Sequence, residues 1–180
     1  MRAIVLFHPH KKSLYSMSEK PLEGFVLFKQ EDEESPVKVT VYLEGLDEGS
    51  HGFHIHEKGF SEIEKCDDVR SCCDRLGGHF NVEPTWSLDN LTGTKHGHHN
   101  GDLCFNIVSE KGLVQHYFLN DKISLFKDSP KCVLNRALVI HEEEDDMGYG
   151  NYADEDKVIE SYINGNAGKR IACGEIKMIN

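Results

Sequence analysis

This sequence predicts an all-β fold, an antiparallel sandwich or barrel with two long loops, on the strength of three observations. Apolar residues recur with a period of two in several short runs. Glycine, proline and aspartate punctuate the gaps between those runs. Two polar, glycine-dotted stretches, about 58–101 and 142–169, interrupt the rhythm and far exceed a hairpin connection.

The strands follow in chain order. The first two are expected at 3–7 and 24–29. The third, Lys38-Val39-Thr40-Val41-Tyr42-Leu43-Glu44, alternates outward and inward residues and closes on a glycine turn at Gly45. The run from His51 to Glu57 also reads as a strand. Further strands are expected at 103–108, ahead of Lys111-Gly112, and at 123–126, ahead of Asp128-Ser129-Pro130. The last two fall at 136–141 and 170–178. No amphipathic helix of ordinary length is expected. Many short strands with turn punctuation argue a sandwich or barrel, and 180 residues suffice for one domain over 1–180 with its own core.

Composition narrows the function. A net charge of −11 argues against a nucleic-acid partner or an anionic membrane. No apolar run approaches the roughly 18–20 residues of a membrane span. The five consecutive apolar residues from Ala3 to Phe7 are too few for a signal-peptide core, so a cytoplasmic location is expected. Nine acids face one lysine between Glu142 and Gly168, and a solvated loop and a functional field are equally open readings. Cysteines at 66, 72, 73, 104, 132 and 173 match neither a zinc finger nor a redox pair, which leaves free thiols as the default. Histidine is the odd residue: seven of the eleven lie between His51 and His99.

Four segments carry chemistry. In His54-Ile55-His56, positions i and i+2 of a strand aim two imidazoles at one point. His51 points the other way and reads as structural. Gly78-His79-Phe80-Asn81 follows, and then Lys95-His96-Gly97-His98-His99-Asn100-Gly101-Asp102. Histidines with an aspartate at the mouth of a strand suit zinc, which takes imidazole nitrogen and carboxylate oxygen in a tetrahedron. Last comes His141, closing the apolar strand Val139-Ile140; taken alone it reads as a core histidine satisfied by backbone.

Together with Asp145-Asp146 and Gly165-Asn166-Ala167-Gly168-Lys169-Arg170-Ile171-Ala172-Cys173-Gly174, these segments resemble the signature of the Cu/Zn superoxide dismutases, in order and over nearly the whole chain. The resemblance implies an eight-stranded Greek-key barrel of immunoglobulin-like type, with 58–101 as the metal and disulfide loop and 142–169 as the electrostatic loop. It also implies disproportionation of superoxide with copper and zinc as cofactors. Copper would be held by His54, His56, His79 and His141, and zinc by His79, His96, His99 and Asp102. His79 would bridge the two ions, leave copper on reduction and carry a proton.

The family's second zinc histidine follows the bridge by about eight residues. Here that position is Ser87, so 82–95 reads as an insertion. His96 is the assignment and His98 its rival. By the same resemblance Asp145 joins a copper histidine to a zinc histidine, and Arg170 guides the anion at the copper mouth. Cys173 pairs with Cys73 in what is expected to be the only disulfide, with Cys72 and Cys66 as rivals. Cys104 and Cys132 remain ordinary thiols.

A homodimer is the family's intracellular habit, although Lys58 stands at a usual interface position. Lys169 and Ile171 flank Arg170 where prolines accompany dependence on a copper chaperone, so a chaperone is expected to be dispensable. The family's steering lysines are replaced by Glu143 and Ile163, with Lys157 or Lys169 as substitutes. The alternative is a non-enzymatic relative, a copper chaperone or decoy. Trp86, His8, His10 and His116 read as packing or surface residues, and the sequon at Asn90 is discounted.

Overall fold

The structure is a computed structural model that describes residues 1–7, 21–65, 69–87, 92–104 and 106–179. The strands are β1 (Arg2–Phe7), β2 (Glu23–Lys29), β3 (Val37–Glu44), β4 (Gly49–His51), β5 (Phe53–Ile55), β6 (Ile107–Ser109), β7 (Leu113–Asn120), β8 (Ala137–His141), β9 (Arg170–Glu175) and β10 (Lys177–Met178). β10, β1, β2, β3 and β7 form one antiparallel sheet in that order, β4 pairs with β6, and β8 lies between β5 and β9. β6 and β7 meet at the turn bridge Glu110↔Leu113.

β4 and β5 are one strand broken at Gly52, and β9 and β10 one strand broken at Ile176. Counted so, the described residues form eight strands, and their order closes on itself. The closing seam is short: β10 meets β1 at Ala3↔Met178 and Ile4↔Lys177, and the Ile179 N–H donates to the Arg2 carbonyl just beyond. The chain crosses over after β3, which lies beside β7 rather than β4.

Alternation builds the core. Val37, Val39, Val41 and Leu43 of β3 are buried while the residues between them are only half-buried. They pack with Ala3, Val5, Val26, Phe28, Phe53, Ile55, Leu138 and Ile140. A smaller cluster, Cys73, Leu76, Ala137, Val139 and Cys173, sits on the other side of β8. All five residues of β8 are buried because core lies on both of its faces.

Three expectations need correction. β7 was not expected: three of its four outward residues, Leu113, Tyr117 and Leu119, are apolar (Gln115 is the fourth), while the exposed His116 stands opposite Val41. The segment 123–126 forms no strand, only the isolated bridge Ser124↔Cys132, and 103–108 narrows to β6. Inside 142–169 lies a helix, α2 (Glu155–Asn164), where none was expected. Only its Ser161 is fully buried, and its apolar stripe, Val158, Ile159 and Tyr162, is short and no more than half-buried. Its ends define it instead. Asp154 accepts the Asp156 N–H at the N-cap, and Gly165 takes the left-handed conformation at the C-cap. The loop 58–101 also carries a short helix, α1 (Val69–Asp74).

Candidate metal centre

β5 presents His54, His56 follows directly after it, and two isolated bridges bring the loop to them: His54↔Asp102 and His56↔His79. His141 arrives from the end of β8, where the register shifts between Ile140 and His141. The rings gather tightly, with His54 centred 4.0 Å from His79 and 4.9 Å from His141, and His56 5.0 Å from His79. His96 and His99 close the other side, 5.0 and 5.9 Å from His79.

The hydrogen bonds decide which nitrogen faces inward. In a neutral imidazole the N–H donates to a carbonyl or carboxylate, and the other nitrogen carries the lone pair a metal would take. His54 Nε2 donates to Asp145 Oδ2 at 2.5 Å. His56 Nδ1 donates to the Gly77 carbonyl at 3.0 Å, and His141 Nδ1 to the Gly168 carbonyl at 3.3 Å. His99 Nε2 donates to the Thr94 carbonyl at 2.9 Å, and His96 Nε2 to Asp145 at 2.7 Å.

What remains are buried nitrogens without a hydrogen-bond partner: His54 Nδ1, His56 Nε2, His79 Nε2, His96 Nδ1, His99 Nδ1 and His141 Nε2. Partnerless buried polar atoms are costly, so a cluster of them signals something that fills it.

Two sets emerge. The donors of His54, His56, His79 and His141 lie within 4.8 Å of one another. Four imidazole nitrogens suit copper(II). On the other side, Asp102 Oδ1 lies 2.9 Å from His79 Nδ1 and 3.3 Å from His96 Nδ1, while Oδ2 lies 3.3 Å from His99 Nδ1. Three imidazoles and a carboxylate suit zinc. The N–H groups of Gly97 and His99 hold Asp102 Oδ2 at 2.8 and 3.0 Å, which orients the carboxylate. By mutual distance the second group is His54, His79, His96 and Asp102; His99 stands beside it through its approach to Asp102. With Nε2 given to Asp145, His54 has one free nitrogen, and it can serve one ion only. His79 alone offers both nitrogens, one to each set.

Asp145 joins the sets. It accepts from His54 and His96 and is held in turn by Asn106, whose side-chain amide donates to its carbonyl at 3.0 Å and accepts its N–H at 2.9 Å. Asn106 was not singled out in the sequence, where nothing but its place in the fold marks it. Gly165 lies against the pair. A Cβ there would sit 2.1 Å from Asp145 Oδ1 and 2.4 Å from His96 Nε2, and its φ of +74° also favours glycine.

Burial holds the His54 and His56 imidazoles well below their ordinary pKa, with His79 adding to it. Burial also lowers His79, against the pull of Asp102. His141 is brought down to about 3, first by burial and then by His79. His96 goes the other way: burial would lower it, but hydrogen bonds to Asp102 and Asp145 prevail and push it up to about 9. Asp102 is held far below the carboxylate range, because the hydrogen bonds of His79, His96 and His99 overcome its burial.

His79 and His141 open on a cleft of about 730 Å³. Arg170 stands at its side, donating from Nη1 to the Cys73 carbonyl at 2.8 Å and from Nη2 to the Gly77 carbonyl at 2.7 Å. Lys157, Ile163, Glu143, Glu144 and Glu160 line the rest. Lys169 instead pairs with Glu142 at 3.6 Å.

Cys73 and Cys173 form a disulfide with their Cα atoms 5.7 Å apart. Cys72 is also disulfide-bonded. That removes it as a rival for Cys173 and overturns the expectation of a single bridge. Cys104 and Cys132 carry no disulfide. His98 is exposed and His96 buried, so only the latter joins the cluster. His51 is buried outside it, its nitrogens 2.9 Å from the His141 and Asp47 carbonyls. His8, His10, Cys66 and Asn90 lie outside the described residues.

Comparison with known proteins is consistent with this geometry. The family model described as copper/zinc superoxide dismutase (SODC) matches residues 22–176. The extracellular Cu-Zn superoxide dismutase of Drosophila melanogaster is 37% identical over 155 residues, 86% of this chain and 75% of that protein. Cu-Zn superoxide dismutase 5 of Dictyostelium discoideum is 36% identical over 158 residues, 87% and 91% of the two chains. A crystal structure of the clock protein EA4 superposes with a TM-score of 0.72 at 30% identity, covering 99% of this chain and 94% of that one.

The expected cytoplasmic location is overturned. A relative covering most of the chain is named extracellular, and a disulfide of the kind found in oxidising compartments is present. The expectation rested on the absence of a leader, and where a sequence begins does not show what preceded it. Among the described residues no helix is long and apolar enough to cross a membrane.

Proposed function

Because the chain belongs to the copper/zinc superoxide dismutase family, we propose that it disproportionates superoxide to dioxygen and hydrogen peroxide in an oxidising, extracellular setting. Copper would be held by His54, His56, His79 and His141, and zinc by His79, His96, His99 and Asp102. The reading is carried by the six buried imidazole nitrogens that converge without partners. Bound copper would supply a one-electron couple, by which one superoxide is oxidised to dioxygen and a second, with two protons, is reduced to hydrogen peroxide.

The chain's own residues bind, orient and move protons. Two backbone carbonyls brace the Arg170 guanidinium beside His79 and His141, where it offers parallel donors to an anion. His79 lines that cleft, and its partnerless Nε2 is the atom at which a proton would be held and passed on. Full burial of His54 and His56 excludes water from the inner wall. Asp145 and Asp102 fix the rings so that their lone pairs need no reorganisation.

The test is metal analysis of the purified protein with a superoxide assay. His141→Ala is expected to keep the fold while losing activity and most copper. Full turnover with copper still bound would sink the ligand assignment. Stoichiometric copper without superoxide consumption in the parent protein would favour the non-enzymatic alternative.

A further inference from the structure

The described ends of the stretch 82–95, which reads as an insertion, pair with each other: Trp86 N–H donates to the Thr94 carbonyl and Thr94 N–H to the Pro84 carbonyl, each at 2.8 Å. This pairing carries Trp86, only 9% exposed, onto α2, where its ring meets Tyr162 edge-on with centroids 5.5 Å apart. Lys95 places Nζ 3.7 Å from the centre of the Tyr162 ring and 5.8 Å from that of Trp86. The next residue is His96, whose backbone N–H donates to the Tyr162 carbonyl at 2.9 Å. One face of α2 therefore rests on the loop that holds His96, while Lys157, Glu160 and Ile163 of the same helix line the cleft.

α2 fully buries only Ser161 and half-buries Val158, Ile159 and Tyr162, so its apolar packing is modest. An ammonium over two rings is attracted to both only while both stay in position. The stack therefore ties the pose of α2 to the pose of the His96 loop.

We propose that Lys95, clasped between Trp86 and Tyr162, is a positioning residue that transmits filling of the His96 site to α2, and so sets the wall of the cleft. The inference rests on the reading of His79, His96, His99 and Asp102 as a zinc site.

The test titrates zinc(II) into protein stripped with a chelator and follows three signals. These are zinc uptake, the emission of Trp86 (the chain's single tryptophan) and hydrogen exchange over α2. Emission and α2 protection are expected to change together and saturate with uptake. Lys95→Met keeps the aliphatic stem but removes the charge. It is expected to weaken zinc binding by about tenfold, at the low end for a residue supporting a ligand, and to lower α2 protection. Lys95→Arg should restore both. Tyr162→Leu removes the ring, keeps the charge and carries the same expectation as Lys95→Met. Exchange in β3 and β8 shows whether each variant has folded.

Zinc uptake with emission and α2 exchange unmoved would overturn the inference while leaving the zinc site intact. So would Lys95→Met or Tyr162→Leu binding zinc as the parent does, or a Lys95→Arg that rescues nothing. No zinc uptake by the parent would overturn both the site reading and the inference.

Discussion

Against the pull of burial, Asp102 and Asp145 hold the His96 ring up to about 9, so near neutral pH the metal-free site keeps a proton there. Zinc must displace it. Zinc affinity is therefore expected to rise about tenfold per pH unit until about pH 9 and then level off. Competition against a chelator of known affinity measures this, and a flat profile between about pH 7 and pH 8 would assign the proton elsewhere. Gly165 matters to the same ring from the other side. Gly165→Ala would drive a methyl into Asp145 and His96 from a backbone with φ of +74°, so both must move. The expected result is a roughly 10–100-fold loss of metal affinity with the barrel retained, read by metal titration and circular dichroism. The sequence could suggest a reason for two of these three residues. His96 stands before a glycine in a histidine run and Asp145 falls at a family position, but the contact that demands a bare glycine at 165 exists only in three dimensions.

At the scale of elements, strands were legible where pleat and burial agree, as in β3, whose valines alternate with half-buried neighbours. β7 was hidden because its outward residues are as apolar as its inward ones, which erases the period of two. α2 was hidden for another reason: its apolar stripe, Val158, Ile159 and Tyr162, spans little more than one turn amid acidic residues, and its caps define its ends. Asp146 adds to its hold, accepting from Ser161 Oγ at 2.8 Å, Tyr152 Oη at 2.9 Å and Asn166 Nδ2 at 3.0 Å. That helix sets the charge of the cleft. Ile163, 42% exposed, occupies a lining position among Glu143, Glu144 and Glu160. Ile163→Lys is expected to raise the second-order rate with superoxide severalfold at low ionic strength. The gain should fade as salt shortens the Debye length to about 10 Å at 0.1 M. A parent enzyme that already slows steeply with salt would show that Lys157 and Arg170 suffice.

For the whole molecule, the buried histidines set how the metal-free protein responds to acid. His54, His56 and His141 have folded pKa values depressed below the ordinary 6.5. The unfolded chain therefore takes up protons that the folded chain refuses. Their contribution is present above about pH 6.5 and is lost as pH falls toward 3, at up to about 1.4 kcal/mol per pH unit for each ring. Urea melts of stripped protein at descending pH should show that slope, and a stability unchanged between pH 6.5 and pH 4 would refute it. The closed order of strands has a consequence of another kind. A ring of paired strands offers no template to a neighbour, because every backbone edge is taken. At the β1–β10 joint the ring is fastened by two residue pairs and one further hydrogen bond, from the Ile179 N–H to the Arg2 carbonyl. Those pairs act like the last teeth of a zip. If they part, β1 becomes a bare edge, and the end of the chain is free to lie along a second copy. Cys173, four residues before Lys177, stitches β9 to Cys73 just short of that point. The same disulfide that braces the metal loop therefore also limits how far the barrel can unzip, and with it the chance that one molecule borrows a strand from another.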